Sequence, residues 1–166
     1  MSRYFTHYWQ NSTWFHNQDV NAGGDLLDHH IAGNLFTKRG VGVGDVIYVV
    51  TVLSGNLYLC GKMVAAKICD AHQAARYLGS QAEDLWEASE HIVAAEATPM
   101  RFDLAVPLTV TAGLRFIAGK NPKSLKFATP GFLDQQTLRG VRELVPNSAL
   151  ELDEFLPPMQ RVTPAK

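Results

Sequence analysis

The sequence predicts an α+β protein, mainly β, in which a curled or closed β-barrel carries flanking helices. Predicted strands outnumber predicted helices, the connections between them are short turns, and Gly61 interrupts a long apolar strand. A glycine in mid-strand is typical of a β-bulge, which allows a sheet to curl. With 166 residues, 46% of them hydrophobic, the chain has the size and composition of one domain with a sizeable core.

The N-terminal part combines a strand with a long polar segment. The aromatic run RYFTHYWQ (3–10) predicts a strand, and NSTW after it predicts a turn. Residues 16–34 are polar and glycine-rich, and they predict a loop with one short helical turn at 25–32. A loop of this length in a compact domain is often either functional or mobile.

Three glycines alternate within GNLFTKRGVGVGDVIYVV (33–50), and two interpretations of them are available. A phosphate-binding loop follows a strand, opens a helix and in one common form ends in Lys-Ser or Lys-Thr. Here the glycines precede the β-branched run VIYVVTVL (46–53), and no such dipeptide follows. The pattern therefore predicts a turn into a buried strand, with Gly44 and Asp45 at the corner.

The remaining elements follow from turn and capping signals. The middle of the chain predicts a turn at 54–56, a returning strand at 57–68, a helix at 71–79 between an Asp70 N-cap and Gly79, a short helix at 82–90, and a strand at 91–98. The C-terminal part predicts extended chain around Pro107, a strand or helical turn at 112–119, a loop at 121–131, and helices at 133–144 and 146–156. The predicted organisation is one domain over 1–156, with a barrel core at about 3–118, a helical elaboration at 133–156, and a flexible tail at 157–166.

Charge is unevenly distributed along a chain whose net charge is −1. Residues 101–142 hold seven basic and two acidic side chains, while the rest of the chain is acidic. A basic face on a neutral protein suits a ligand with a few phosphates, and a solvated surface is an equal alternative. The candidate phosphate contacts are Arg115, Lys120, Lys123, Lys126 and Arg139, together with Arg142 on the same predicted helix face.

The sequence contains no catalytic constellation, and it predicts neither a metal nor a cofactor. Adjacent His29 and His30 do not converge well on one ion, and no CxxC or HxxxH partner is near. Cys60 and Cys69 stand in apolar contexts and predict buried free thiols. No apolar run approaches the roughly 20 residues of a membrane helix, and the N-terminus lacks a signal-peptide core, so a cytoplasmic protein without a membrane partner is expected.

Aromatic and small polar residues stand side by side in YWQNSTWF (8–15). A protein reads a flat nucleobase by stacking on a ring and by hydrogen-bonding the base edge with amide, hydroxyl and main-chain groups. Trp9 and Trp14 offer rings, and Asn11 and Ser12 offer polar groups. Core packing is the alternative role for both tryptophans.

The order of these segments resembles the PUA-like superfamily and, within it, the EVE and YTH group. The matching residues are Asn34, Arg39, the Gly44-Asp45 corner and the strand VIYVV after it. The resemblance covers roughly residues 3–68 and extends loosely to 98. It implies a small β-barrel with a pocket for a modified nucleobase, flipped or single-stranded, in an aromatic cage. It also implies that Trp9, Asn11, Ser12, Trp14 and Asn34 line that pocket.

The sequence thus predicts a nucleic-acid-binding module that recognises a modified base in DNA or RNA without catalysing a reaction. One alternative is a small hydrolase or nuclease of the ASCH type, with His29, His30 or a carboxylate of the 16–34 loop as the catalytic group. Another is a protein-interaction module that binds a protein partner or a second copy through its C-terminal helices.

Overall fold

The computed structural model of the chain describes residues 2–21 and 24–165 and shows an α+β fold in which strands predominate. The strands are β1 (Tyr4–Tyr8), β2 (His29–Ala32), β3 (Val46–Leu53), β4 (Asn56–Cys69), β5 (Glu90–Ala97), β6 (Arg115–Phe116), β7 (Lys123–Ser124), β8 (Phe127–Thr129), β9 (Phe132–Leu133), β10 (Val141–Leu144) and β11 (Gln160–Arg161). The helices are α1 (Asn11–Asn21), α2 (Leu35–Lys38), α3 (Ala71–Leu78), α4 (Leu108–Gly113) and α5 (Pro146–Asp153).

Most of these strands belong to one mixed sheet in the order β11-β5-β4-β3-β1-β10-β6-β7, and β2 also pairs with β5. The strands β1 and β3 are parallel, whereas the other neighbours are antiparallel. Within the described residues the two ends of this order do not pair with each other. The structure therefore shows a large mixed sheet, and the expected barrel closure is not found.

A bulge in β4 lies where the sequence predicts it. Val49 of β3 is opposite Gly61 and Val50 is opposite Leu59, so Cys60 is the extra residue on β4. A Cβ at Gly61 would lie 2.5 Å from Thr98 Oγ1. Glycine is thus required here because the chain after β5 passes close to β4.

The two faces of the sheet bury separate apolar clusters. Alternate residues of β3 point to opposite sides, as the two-residue period of a strand requires. We call the side with Phe5, His7, Ile47 and Val49 the histidine face; α1, β2 and α2 cover it. We call the other side the closed face; it buries Val46, Tyr48, Val50, Leu59 and Leu144, among others, beneath α5 and the segments between 104 and 138.

Several predicted elements are confirmed. The strands at 46–53, 57–68 and 91–98 are found as β3, β4 and β5, and Gly44 turns into β3 with φ 89°. The helix at 71–79 is α3, whose N-cap Asp70 accepts a hydrogen bond from the Gln73 N–H at 2.9 Å. Gly79 ends that helix with φ 73°. The last predicted helix is α5, which begins at Pro146.

The predicted turn at 11–14 is wrong, and so is the predicted loop where α1 and β2 form; residues 24–28 and 33–34 lie outside helices and strands, as predicted, and residues 22 and 23 lie outside the described residues. The chain forms α1 instead, because Trp14 is fully buried and anchors a helix that has almost no amphipathic pattern of its own. The helical turn expected at 25–32 is replaced by β2, in which His30 pairs with Ile92 of β5. Tertiary pairing overrides the local polar composition in both places.

Two predicted helices are also wrong. Within 82–90 only Ala82–Asp84 form a 3-10 turn, and β5 begins at Glu90. Within 133–144 a 3-10 turn at Gln135–Leu138 is followed by Gly140 with φ 76°, which reverses the chain into β10. The strand β10 lies between β1 and β6, so the sheet extends beyond the predicted core limit of residue 118.

The C-terminal residues are attached to the sheet, whereas the sequence predicts a flexible tail at 157–166. The strand β11 pairs with β5, and the N–H of Val162 donates to the Ala95 carbonyl at 2.9 Å. The N–H of Ala165 donates to the Tyr77 carbonyl at 2.8 Å, and residue 166 lies outside the described residues. The helix α5 buries Ala149 and Leu152 in the closed face, so this part of the expected protein-docking surface belongs to the core.

Candidate functional site

A pocket of about 320 Å³ opens on the histidine face, where β1, α1 and β2 meet the loop before β5. Its lining is rich in aromatic rings and imidazoles, and we call it the aromatic pocket. The lining residues are His7, Tyr8, Trp9, Gln10, Thr13, Asn17, His29, His30, Ile31 and Trp86. This volume is at the lower end of the range for small-molecule sites.

Two tryptophans line the pocket, one in its wall and one at its opening. Trp9 follows β1 and is 9% exposed, so it forms part of the wall. Trp86 is 48% exposed and reaches the pocket from the loop after the 3-10 turn. Its ring lies 5.3 Å from that of His16 of α1 in an edge-to-face contact, which fixes the position of an otherwise solvent-facing ring.

The deepest polar groups of the pocket belong to His7 and His30, which are 7% and 2% exposed. Their ring centroids are 5.4 Å apart, and the His30 ring lies 5.5 Å from that of Trp9. His7 Nδ1 and both ring nitrogens of His30 have no hydrogen-bond partner within the described chain. A buried polar atom without a partner destabilises a fold by about 1–3 kcal/mol, so such a cluster calls for a ligand or another explanation.

Burial keeps these imidazoles neutral at physiological pH. It lowers the pKa of His7 to about 4, and it lowers the pKa of His30, with further reductions from the neighbouring His7 and His29. Burial and the nearby His91 lower the pKa of His29 to about 4. A neutral imidazole carries one N–H donor and one nitrogen acceptor. The imidazoles at the floor of the pocket are therefore uncharged, and the unpartnered nitrogens of His7 and His30 have almost no accessible surface of their own.

His29 is held at the edge of the pocket by a second imidazole. Its Nε2 lies 2.9 Å from Nδ1 of His91, and the two rings are stacked with centroids 5.1 Å apart. On the opposite wall, Asn17 Nδ2 donates to the Thr13 carbonyl at 2.8 Å within α1. These contacts position both side chains before any ligand binds.

The five predicted base contacts are distributed over four environments. Trp9 lines the aromatic pocket, whereas Trp14 lies in the core with no exposed surface, packed edge-to-face against Trp9, Tyr58 and Phe102. The prediction that Trp14 stacks on a ligand is therefore corrected: Trp14 supports the wall from behind.

The predicted polar contacts also lie outside the aromatic pocket. Asn11 and Ser12 line a neighbouring cavity of about 320 Å³, the bridging pocket, which shares Tyr8 and Gln10 with the aromatic pocket. The Asn11 side chain is bonded to Thr51 Oγ1 at 3.1 Å.

Asn34 is exposed, has φ 62° at the start of α2, and accepts a hydrogen bond from Ser89. It lies in the turn before α2 and lines neither the aromatic nor the bridging pocket.

The predicted phosphate contacts are exposed, and one of them adjoins the site. Arg139 lines the bridging pocket, next to Gln135 and Gln136. Arg115 is tied to its own turn, because its guanidinium donates to the carbonyls of Ala112 and Leu114. Lys120, Lys123 and Lys126 are exposed around β7 and line neither pocket.

No cluster of three or more His, Cys, Asp or Glu side chains within residues 2–21 and 24–165 is placed to hold a metal ion. Cys60 and Cys69 are buried free thiols, as predicted. Burial raises the pKa of Cys60 to about 12, which makes its thiolate form rare at neutral pH. No helix in the described part of the chain is both long enough and apolar enough to cross a membrane.

Sequence reasoning missed His7, His30 and Trp86 as pocket residues. One available signal was the spacing of His7 and Trp9, which are two apart on a predicted strand and so share a face with buried Phe5. His30 and Trp86 carry no comparable local signal. They reach the pocket through the pairing of β2 with β5 and through a loop that the sequence assigned to a helix.

Comparisons of this chain with protein-family models, with curated proteins and with solved structures found no match.

Proposed function

We propose that this protein binds a modified nucleobase, flipped out of a duplex or single-stranded, in the aromatic pocket, and that it does so on a PUA-like fold of the EVE and YTH type. The observation that carries the proposal is the combination of tryptophan rings with buried, unpaired, neutral imidazoles in one small cavity. An uncharged heteroaromatic ring with donors and acceptors on its edge is complementary to that combination.

In this proposal Trp86 stacks on the base and Trp9 bounds it on the inner side. The rings of His7 and His30 turn to present their nitrogens to the base edge, because those nitrogens have almost no accessible surface without a ligand. The resulting hydrogen bonds relieve the cost of leaving the nitrogens unpaired. Because the two imidazoles are neutral, they favour a neutral base edge over a phosphate or a carboxylate.

The PUA-like assignment is supported by the corner before β3. Asp45 Oδ1 accepts a hydrogen bond from the Arg3 N–H at 3.0 Å, and Oδ2 accepts one from the Gly42 N–H at 2.8 Å. These bonds tie the Gly44-Asp45 corner to the start of β1, which fits the segment order that the resemblance implies. As part of this proposal, the sheet corresponds to the β-barrel of that family, with its two end strands unpaired within the described residues.

The test is a fluorescence-polarisation titration with short single- and double-stranded DNA and RNA oligonucleotides that carry modified or plain bases. Wild-type protein is expected to prefer one modified oligonucleotide at least about tenfold over its plain counterpart, since a plain base that leaves one buried polar group unpaired loses about 1–3 kcal/mol. Trp86→Ala is expected to weaken binding of that oligonucleotide about 5- to 150-fold, the range for loss of one stacked ring.

Phe15→Ala is the matched control, because Phe15 is an aromatic residue of similar exposure (49%) that lines neither pocket described above. It is expected to leave the preference unchanged. Equal binding of every modified and plain pair, or equal losses in Trp86→Ala and Phe15→Ala, would contradict the proposal. Conversion of the oligonucleotide by wild-type protein but not by His30→Ala would support the ASCH-type hydrolase in its place.

A further inference from the structure

A third cavity, which is strongly basic, lies beyond the bridging pocket. It has a volume of about 520 Å³ and lies where the end of α2, the turn after β6 and the start of β10 meet. Lys38, Arg39, Arg139 and Arg142 line it, and we call it the basic pocket. Only two of these four side chains belong to the basic stretch at 101–142; the other two come from the end of α2 and the residue after it.

The positive charge of the basic pocket is not neutralised from within. Glu143 is the single carboxylate among its described lining residues, and the Arg3 guanidinium already binds Glu143 through Nε and Nη2. Lys38 and Arg39 form no ion pair with any residue that the structure describes. Four cations in one concavity focus a field that attracts an anion.

Arg142 is held in place at the inner side of this cavity. Its Nη1 donates to the Thr137 carbonyl at 2.6 Å, and its guanidinium lies 4.3 Å from the centre of the Phe116 ring. Partial burial and the nearby charge of Arg39 lower the pKa of Arg142. Like charges so close together are unfavourable alone, and an oxyanion between them removes the repulsion.

The basic pocket is connected to the aromatic pocket through shared lining residues. Gln136 and Arg139 line both the basic and the bridging pockets, and Tyr8 and Gln10 line both the bridging and the aromatic pockets. The bridging pocket therefore shares lining residues with each of the other two cavities. Arginine is well suited to such a site because its planar fork binds phosphate oxygens in pairs.

We propose that the basic pocket binds a backbone phosphate of the nucleic-acid strand whose base occupies the aromatic pocket. This inference rests on the proposed function for the identity of the strand. The proposed main phosphate contacts are therefore Arg39, Arg139 and Arg142, in place of the exposed lysines around β7.

The test measures how binding of a plain single-stranded DNA oligonucleotide falls as salt is raised. The double variant Arg39→Gln/Arg139→Gln is used because no described ion pair involves either side chain, and Arg142 is kept because of its packing on Phe116. Each neutralised phosphate contributes about 0.7 to the slope of log K against log salt for a single strand, so the double variant, which removes two of the arginines that hold the one phosphate, should lose up to about 0.7.

The double variant Lys123→Gln/Lys126→Gln removes the same charge from exposed positions outside the basic pocket, and it is expected to change the slope by much less. Equal slopes in wild type and the arginine variant, or an equal reduction in both variants, would overturn the proposal. Inorganic phosphate at constant ionic strength distinguishes a free-anion site. Tight phosphate binding that the arginine variant loses, together with an unchanged oligonucleotide slope, would also overturn it.

The two proposals fail in different ways. Preference for a modified over a plain base depends on Trp86 and is a ratio of two affinities. The two oligonucleotides have the same backbone, so the contribution of the phosphate contacts cancels from this ratio. A preference that persists without any slope difference would overturn the basic pocket alone. A slope difference without any preference would overturn the aromatic pocket as a modified-base site and leave a phosphate site on the same surface.

Discussion

The two faces of the sheet differ in whether their buried polar groups are hydrogen-bonded. On the closed face, the Tyr48 hydroxyl donates to Asp153 at 2.7 Å, and Lys62 forms an ion pair with the same carboxylate at 2.8 Å. On the histidine face, the nitrogens named above on His7 and His30 have no partner within the described chain. Thr6 is the exception on the closed side, because its buried hydroxyl is also unpaired.

Under the proposed function, the closed face serves stability and the histidine face serves ligand binding. A fold gains by pairing every buried polar group, so unpaired groups persist where they serve another purpose. The imidazoles of the histidine face line a cavity, whereas the polar groups of the closed face pack beneath α5. Changes on the closed face should therefore act on folding, and changes in the aromatic pocket should act on binding.

The largest effect is expected from Leu59→Ala on the closed face. Leu59 has no exposed surface, and its truncation should reduce the free energy of unfolding by about 3–5 kcal/mol through lost burial and a residual cavity. Urea denaturation monitored by tryptophan fluorescence measures this loss. Oligonucleotide preference, measured on the folded protein, should stay the same.

Exposed Leu150 on α5 provides the control for Leu59, since it is 61% exposed and Leu150→Ala should change stability by less than about 0.5 kcal/mol. A Leu59→Ala protein that is as stable as wild type, or one that folds but loses the preference for the modified base, would contradict the division between the two faces.

The second effect is a loss of stability in acid that arises on the histidine face. An unfolded histidine takes up a proton below about pH 6.5, whereas buried His7, with its pKa lowered to about 4, does not. The contribution of His7 to the free energy of unfolding is therefore fully present above pH 6.5 and falls as the pH drops towards 4. The share of His7 alone is about 2 kcal/mol at pH 5, and His29 adds in the same direction.

His7→Leu should remove part of this acid dependence, because leucine takes up no proton in either state. The rings that face His7 are those of His30 and Phe36, and they carry no charge at neutral pH. Urea denaturation at pH 7 and pH 5 measures the effect. His72→Gln, at an exposed position of α3, is the control and should keep the wild-type pH dependence. An unchanged pH dependence in His7→Leu would show that other groups cause the acid sensitivity.

Much of the sheet was predictable because its signals are local. The strands β3, β4 and β5 have β-branched or alternating apolar sequences, and α3 has both a capping box and a terminal glycine. In contrast, α1, β2 and β10 owe their structure to partners far along the chain. The residues of β10 repeat at a helical spacing, but Gly140 turns them onto the free edge of β1.

The site was less predictable than the fold, for a related reason. Trp9 was identified because aromatic and polar residues adjoin it in sequence. His30 and Trp86 approach Trp9 only after β2 pairs with β5, and the four cations of the basic pocket come from two segments about 100 residues apart in sequence. A charge count along the chain finds the basic stretch at 101–142 but does not reveal that Lys38 and Arg39 complete it.

His30→Leu is expected to have the smallest effect on stability. It is also the most direct test of the comparison between the two faces. Leucine has no polar atoms, so the cost of two unpaired buried nitrogens disappears, while some edge contact with His7 and Trp9 is lost. The net result should be a gain of about 1 kcal/mol in the free energy of unfolding. Binding of the modified oligonucleotide should nevertheless weaken about 5- to 150-fold, because the base edge loses its partner.

Thr6→Val is the matched control for His30→Leu, since it removes an unpaired buried hydroxyl from the closed face with almost no change in shape. It should give a similar small gain in stability and leave binding unchanged. If His30→Leu were instead destabilised by several kcal/mol with binding intact, His30 would be a core residue whose nitrogens serve the fold. If both variants were stabilised and only His30→Leu lost binding, the unpaired nitrogens of the histidine face would be established as groups kept for a ligand at a cost to the fold.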